Sequence, residues 1–484
     1  KLSLDLCIFV NGLPVITFEL KNQLTKQNVD DAVYQYQHAR SPKELLFQFT
    51  RCMVHFAVDD AQVKFCTRLQ GKESWFLPFN KGYKDGAGNP PNPDGLMTDY
   101  LWKQVLTKDM LSRIIENYAT LVEEKDEETG KTRYKQIFPR YHQLTAVESL
   151  LADVKKNGVG NRYLIQHSAG SGKSNSIAWL AHQLTGLEDA QGNLLVDSVI
   201  VVTDRVVLDK QIRDTIRQFA QTRNIIAWAE HSGDLRKAIE DGRRIIITTI
   251  GKFPYVLPEI GEDHKDRHFD IIDEAHSSQN GKTAGTMNMT LSAIMSDPDM
   301  DNEDKINAMC EGKKLLTNAS YFAFTATPKN KTLETFGTAY EDAGVIKHRP
   351  FHVYTMKQAI QEGFILDVLK YYTPIDSYYR LKKTVEDDPM FDKKKAQKKL
   401  RAFVENQTFT IAQKADMMVS HFHEQVIAKG KIGGQARAMI ITSSIERCIE
   451  YYHAVNKCLA NRHSPYKAII AFSGEKQLDK DAPA

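Results

Sequence analysis

Two short apolar runs, Leu4 to Val10 and Leu13 to Leu20, flank Asn11-Gly12, the pair that best suits the two positive-φ positions of a tight hairpin. The chain is therefore expected to open on a sheet. Helical periodicity follows from about Val29 to Ala39, then strand-like segments at Cys52 to Val58 and Val63 to Thr67, then a Gly/Pro/Asn-rich loop from Gly82 to Gly95. Residues 1–120 form the first expected domain. Around Glu123 to Arg133 the sequence is charge-dense and broken by Gly130, which predicts a linker over 121–135 that buries no core. Beyond it, apolar strands at Tyr163 to Gln166, Ser198 to Thr203, Arg244 to Thr249, Ile271 to Asp273 and Tyr321 to Phe324 alternate with helical stretches. That alternation predicts a parallel sheet with helices on both faces over 136–345. A second α/β unit, 346–484, is expected to carry strands at Ala438 to Thr442 and Lys467 to Phe472 and to be short of strands.

Composition changes this picture little. A chain of 484 residues exceeds one ordinary core and suggests roughly three. Lys plus Arg (64) barely exceeds Asp plus Glu (61), so bulk charge does not decide for or against a nucleic-acid partner. The six cysteines form no Cys-x-x-Cys pair, which fits reduced thiols and a cytoplasmic location. No apolar run approaches the ~20 residues that span a bilayer, so no membrane partner is expected. The missing initiator Met and the late strand at Ala468 to Phe472 suggest a piece cut at both ends.

The sharpest chemical signal is Ala169-Gly170-Ser171-Gly172-Lys173-Ser174, after a strand and before the helical run Asn175 to Leu184. Glycines let backbone N–H groups converge on phosphate oxygens, Lys173 suits the β and γ phosphates, and the Ser174 hydroxyl suits magnesium. His167 stands where the first glycine of this pattern usually falls. A hundred residues downstream, Asp273 and Glu274 end an apolar strand, one placed to hold the metal and the other to deprotonate a water. Asp273 to His276, Thr325-Ala326-Thr327-Pro328 and Tyr141-His142-Gln143 together resemble the superfamily 2 helicases and translocases. The resemblance implies two RecA-like lobes with ATP between them. It further implies that Gln143 reads adenine and that Thr325 and Thr327 couple hydrolysis to DNA movement, with Asp204, Arg205, Thr248 and Thr249 at strand ends that meet DNA.

Ahead of this motor, Asp5 lies on one arm of the hairpin, and alternation puts Glu19 and Lys21 on one face of the other. Two carboxylates can share Mg2+ while a lysine positions water for phosphodiester attack. A solvated cross-strand pair is the alternative use of such residues. The set resembles the Asp…Glu-x-Lys core of restriction-type nucleases. With Phe9 to Pro14, Phe18 to Asn22, Phe76 to Asn80, Asp273 to Gln279, Glu362 to Leu366 and Ala438 to Ser444, nearly the whole chain resembles the motor subunit of type I restriction enzymes. By that likeness Gln35 matches a helper glutamine, and Ala39 stands where a tyrosine is usual. The fold expected is α/β: a restriction-nuclease-like domain, then two RecA-like parallel-sheet lobes, the second incomplete. The function expected is an ATP-driven translocase and magnesium-dependent endonuclease on double-stranded DNA, partnered by modification and specificity subunits. Two other readings stay open: a remodeller with an inert nuclease-like domain, and a nucleotide-switched DNA-binding module.

Overall fold

The computed structural model describes residues 3–125, 130, 132–203, 214–218, 226–229, 232–249, 268–273, 318–367, 408–428 and 437–472. The chain divides into two units, Lys1–Tyr372 and Thr373–Ala484.

The first unit opens on a five-stranded sheet, β1 (Leu6–Val10), β2 (Leu13–Leu20), β3 (Val54–Val58), β4 (Val63–Cys66) and β5 (Leu77–Pro78), in that order. Asn11 and Gly12 both take positive φ, as the hairpin between β1 and β2 demands. β2 and β3 run parallel, so no tight turn can join them, and the helix α1 (Val29–Ala39) makes the crossover. Its start is fixed by Asn28, whose side chain accepts from Asp30 N while Asp31 accepts from Asn28 N, both at 2.8 Å. α1 buries Val29, Ala32 and Tyr36 on one face of the sheet. The other face, with Ile16, Phe18, Val54 and Phe56, packs toward Leu111 of α2 (Lys108–Arg113).

The expected linker is a hairpin instead, β6 (Thr120–Lys125) on β7 (Thr132–Ile137). Its charges stay largely in water but pair across the strands: Tyr134 OH donates to Glu123 at 2.8 Å and Lys135 lies 3.7 Å from Glu124. Val122 anchors it in the interior.

After α3 (Tyr141–Asn157) comes β8 (Arg162–His167), then α4 (Lys173–Leu184), β9 (Ser198–Thr203), β10 (Ile226–Trp228), β11 (Ile245–Thr249), β12 (Phe269–Asp273) and β13 (Ala319–Thr325). An exposed hairpin, β14 (Thr338–Asp342) and β15 (Val345–Arg349), precedes β16 (His352–Tyr354). The large sheet runs β10-β11-β9-β12-β13-β8-β16, every pair parallel. Successive strand residues supply opposite faces: Ile165, Val199, Val201 and Phe324 join the core around Trp179 of α4, while Leu164, Ile200, Val202 and Phe269 join the core around Leu235. β16 extends this lobe past the expected limit at 345, because its backbone completes the ladder beside β8.

In the second unit the helices Thr408–His421 and Ile445–Asn461 meet through Ala415, Val419, Val455 and Leu459. Ala438–Thr442 and Lys467–Phe472, expected as strands, are not strands. A strand needs a ladder partner, none of the described residues supplies one, and Met439, Ile441 and Ile469 stand exposed.

Candidate functional site

The loop between β8 and α4 sits where parallel strands end and a helix N-terminus begins, the position that suits phosphate. Gly170 and Gly172 adopt φ of 70° and 78°, and a Cβ on Gly172 would lie 2.5 Å from Gln143 Nε2. Glycine is therefore required there on two counts. Lys173 is buried, and its ammonium turns back on its own loop, 3.3 Å from Ser168 O. Ser171 Oγ is buried with no hydrogen-bond partner, Ser174 is half-buried, and Ala169 is exposed at the tip. A buried lysine drawn onto its own loop carbonyls and an orphaned Ser171 hydroxyl fit a loop built to receive an anion.

The start of α3 grips this loop. Gln143 Nε2 donates to Gly172 O at 2.9 Å while Gln143 Oε1 accepts from Arg140 N at 2.9 Å, so the carboxamide expected to read adenine is engaged with backbone at both ends. Arg140, which sequence reasoning passed over, and His142, which it quoted beside Gln143 without a role, make further bonds to the loop: Arg140 Nη2 donates to Gly170 O and His142 Nε2 to Ser171 O, each at 3.0 Å. A carbonyl only accepts, so His142 carries its proton on Nε2. Burial, then the Arg140 charge, hold its pKa well below the ordinary histidine value.

A segment running from Phe351 to Ile365 closes over the other side. Ser168 N donates to Tyr354 O at 3.0 Å, His167 Nε2 lies 2.9 Å from His352 Nδ1, and Ile365 and Phe364 border Gly170. The helix Met356–Gln361 in this segment also meets the first domain, with Thr355 Oγ1 donating to Asp85 O at 2.6 Å and Ala87 N to Gln361 Oε1 at 2.7 Å.

Register places the other motor residues along the same sheet edge. Asp273 ends β12 opposite Ala323, and Thr325 ends β13 opposite Gln166 of β8. Thr325 Oγ1 is buried without a partner, whereas Thr327 is exposed. Thr248 is buried and Thr249 half-buried at the end of β11, with Thr203 Oγ1 donating to Thr248 O at 3.3 Å. Asp204, Arg205 and Glu274 lie outside the described residues.

In the first sheet the hairpin brings Asp5 to β2, where Asp5 Oδ2 accepts from Leu20 N at 2.8 Å. Glu19 has no exposed surface. One of its oxygens takes Arg40 Nε at 2.6 Å, and the other is buried without a partner. Burial pushes the Glu19 carboxyl up, Arg40 pulls it down, and the Asp5 charge raises it again. Lys21 Nζ donates to Gln35 Oε1 of α1 at 2.5 Å. Asp5, Glu19, Lys21 and Gln35 thus gather at one end of β2. Among the described residues no cluster of three or more His, Cys, Asp or Glu could hold a metal unaided. The orphaned Glu19 oxygen beside Asp5 nevertheless fits Mg2+, whose remaining positions water and phosphate commonly fill. Arg40 was missed because it lies 21 residues from Glu19 with no periodic relation to it.

The family model described as SWI2/SNF2 ATPase matches residues 142–402, and the type I restriction enzyme R protein N terminus matches residues 1–74. The type I restriction enzyme HindI endonuclease subunit of Haemophilus influenzae is 25% identical over 479 residues, covering 93% of this chain and 41% of that protein. The putative type I restriction enzyme MjaIXP endonuclease subunit of Methanocaldococcus jannaschii is 22% identical over 512 residues, covering 99% and 43%. The chain thus spans less than half the length of these relatives. A fragment structure of a putative HsdR subunit from Vibrio vulnificus superposes at a TM-score of 0.38 and 14% identity, covering 93% of this chain and 63% of that one. With the ATPase family covering more than half its length, the chain belongs to the SWI2/SNF2 ATPases, in the form of a type I restriction enzyme R subunit with a helicase-like core.

Proposed function

We propose that the chain is the ATP-dependent translocase and magnesium-dependent endonuclease subunit of a type I restriction-modification system. It would act in the cytoplasm on double-stranded DNA beside modification and specificity subunits. In this reading the cutting domain spans about 1–120, the first motor lobe begins near 136 and runs through β16, and the residues after it lead into the second. The observation that carries the reading is the conjunction, in one chain, of a built phosphate loop and a buried, half-unsatisfied carboxylate beside Asp5 and Lys21.

ATP would lie on Gly170, Ser171 and Gly172, with Lys173 leaving its loop carbonyls for the β and γ phosphates. Ser174 and Asp273 would hold the nucleotide's magnesium and Glu274 would take a proton from the attacking water. Gln143 would contact adenine from the loop side, and Thr325 and Thr327 would transmit hydrolysis to Asp204, Arg205, Thr248 and Thr249 on DNA. In the cutting domain Asp5 and Glu19 would hold Mg2+, which when bound activates water and screens the scissile phosphate. Lys21, fixed by Gln35, would orient that water.

The test is magnesium-dependent ATPase activity with and without duplex DNA, beside Lys173→Ala, and DNA cleavage beside Asp5→Ala and Lys21→Ala. DNA-stimulated turnover lost with Lys173 supports the motor. Cleavage indifferent to Asp5 and Lys21 sinks the nuclease half.

A further inference from the structure

We propose that Arg140 and His142 are positioning residues that set the phosphate loop in its anion-binding form before nucleotide arrives. This rests on the reading that the loop takes ATP. Arg140, His142 and Gln143 hold three successive carbonyls, Gly170 O, Ser171 O and Gly172 O, at 3.0, 3.0 and 2.9 Å. In a planar trans peptide the N–H of the next residue points opposite to the C=O. Fixing these carbonyls against α3 therefore turns the N–H groups of Ser171, Gly172 and Lys173 away from it; Ser171 N donates to Ser168 O at 3.3 Å, so Gly172 and Lys173, where α4 begins, supply the N–H groups aimed at the anion. The loop need not reorganise its peptide planes when phosphate binds, which removes an ordering cost from binding.

The two side chains are themselves held. The His142 ring stacks on Tyr354 at 3.7 Å between centroids, and the Arg140 guanidinium lies 4.1 Å over the Phe364 ring. Tyr354 OH in turn donates to Glu362 at 2.7 Å. Their rotamers are set by the same Phe351–Ile365 segment that borders the loop at Ser168 and Gly170, so the carbonyl-orienting groups are themselves held in place. Neither side chain is assigned a contact with the phosphates; they act through the backbone.

The experiment uses the full chain and competition against a fluorescent ADP analogue, with ADP and adenosine as competitors. His142→Ala is expected to weaken ADP about tenfold while leaving adenosine within about twofold, because the loop is the part disturbed. His142→Gln, which offers an amide donor at similar reach, should recover most of the loss. Arg140→Lys keeps the charge and the stem but loses the second nitrogen, and should weaken ADP severalfold with adenosine again unmoved; it stands in if His142→Ala does not fold. Equal weakening of ADP and adenosine would assign these residues to general packing and overturn the proposal. So would Lys173-dependent ADP binding that ignores both variants, with the nucleotide reading left standing. A wild-type chain that takes no ADP, or takes it equally well after Lys173→Ala, would sink the nucleotide reading and this inference with it.

Discussion

Replacing Arg40 by alanine leaves Glu19 with no exposed surface and no cation, since Arg40 Nε at 2.6 Å is its ion-pair partner and its second oxygen has none. Breaking a buried pair from one side costs about 3–5 kcal/mol, because the remaining charge stays desolvated. Hydrogen exchange of the β2 amides reads this as roughly two to three and a half powers of ten less protection at pH 8. The sign with pH follows from the carboxyl: burial raises its folded-state pKa and the raise grows without Arg40, so the charged-state cost accumulates as pH climbs above the unfolded value. At pH 5 Glu19 takes a proton instead, and the cost should shrink to roughly 1 kcal/mol, at about 1.4 kcal/mol per pH unit above an unfolded value near 4.3. Changing both partners, Glu19→Met with Arg40→Met, should restore most of the protection. Loss of less than about tenfold in the single variant, or an equal loss at pH 5 and pH 8, would refute the account of Glu19 as a charge sustained by Arg40.

Asp270 is buried at the start of β12 and burial pushes its pKa up to about 7, with the Ser320 hydroxyl pulling the other way, so stability should fall between about pH 4 and pH 7. Asp270→Asn should remove that slope and gain up to about 4 kcal/mol at pH 8 with no gain at pH 4, read as thermal midpoints at the two pH values. Gly172→Ala drives a Cβ to 2.5 Å from Gln143 Nε2 at a φ of 78°, a strain of about 1–2 kcal/mol for the backbone alone. It should lower ADP affinity tenfold or more with helix content by circular dichroism unchanged. Phe138→Ala empties a site among Phe56, Phe65 and Phe79, and urea unfolding should register about 3–5 kcal/mol.

What could be read from the sequence was local. β2, the bounds of α1 and the strand–loop–helix around Gly172 each follow from residues within one turn or one pleat of each other, and each is present as expected. Asp5, Glu19 and Lys21 were legible because a hairpin converts sequence spacing directly into distance. The missed features depend on elements meeting in space. Arg40 reaches Glu19 only because α1 crosses back over the sheet, and Arg140 and His142 reach the loop only once α3 packs on α4. β16 is three residues long with a histidine in it, too short to leave a period, and is defined wholly by its neighbour β8. The β6–β7 hairpin hid behind its charge density, since cross-strand pairing replaced burial as its support.

The apolar interior recognises no border between the N-terminal sheet and the ATPase lobe. One cluster runs from Phe18 and Phe56 through Phe79, Tyr100, Tyr118 and Phe138 to Leu144, Trp179 and Phe324. Dissection of this protein at its apparent seam would therefore not yield two tidy pieces. A recombinant ATPase lobe begun near residue 136 would present the severed half of a core, with Phe138 and the flank of α3 facing water, and would invite aggregation unless those positions were resurfaced. The N-terminal sheet is to that extent a structural part of the ATPase lobe, and its loss in evolution would have to be accompanied by a new cover for the same surface.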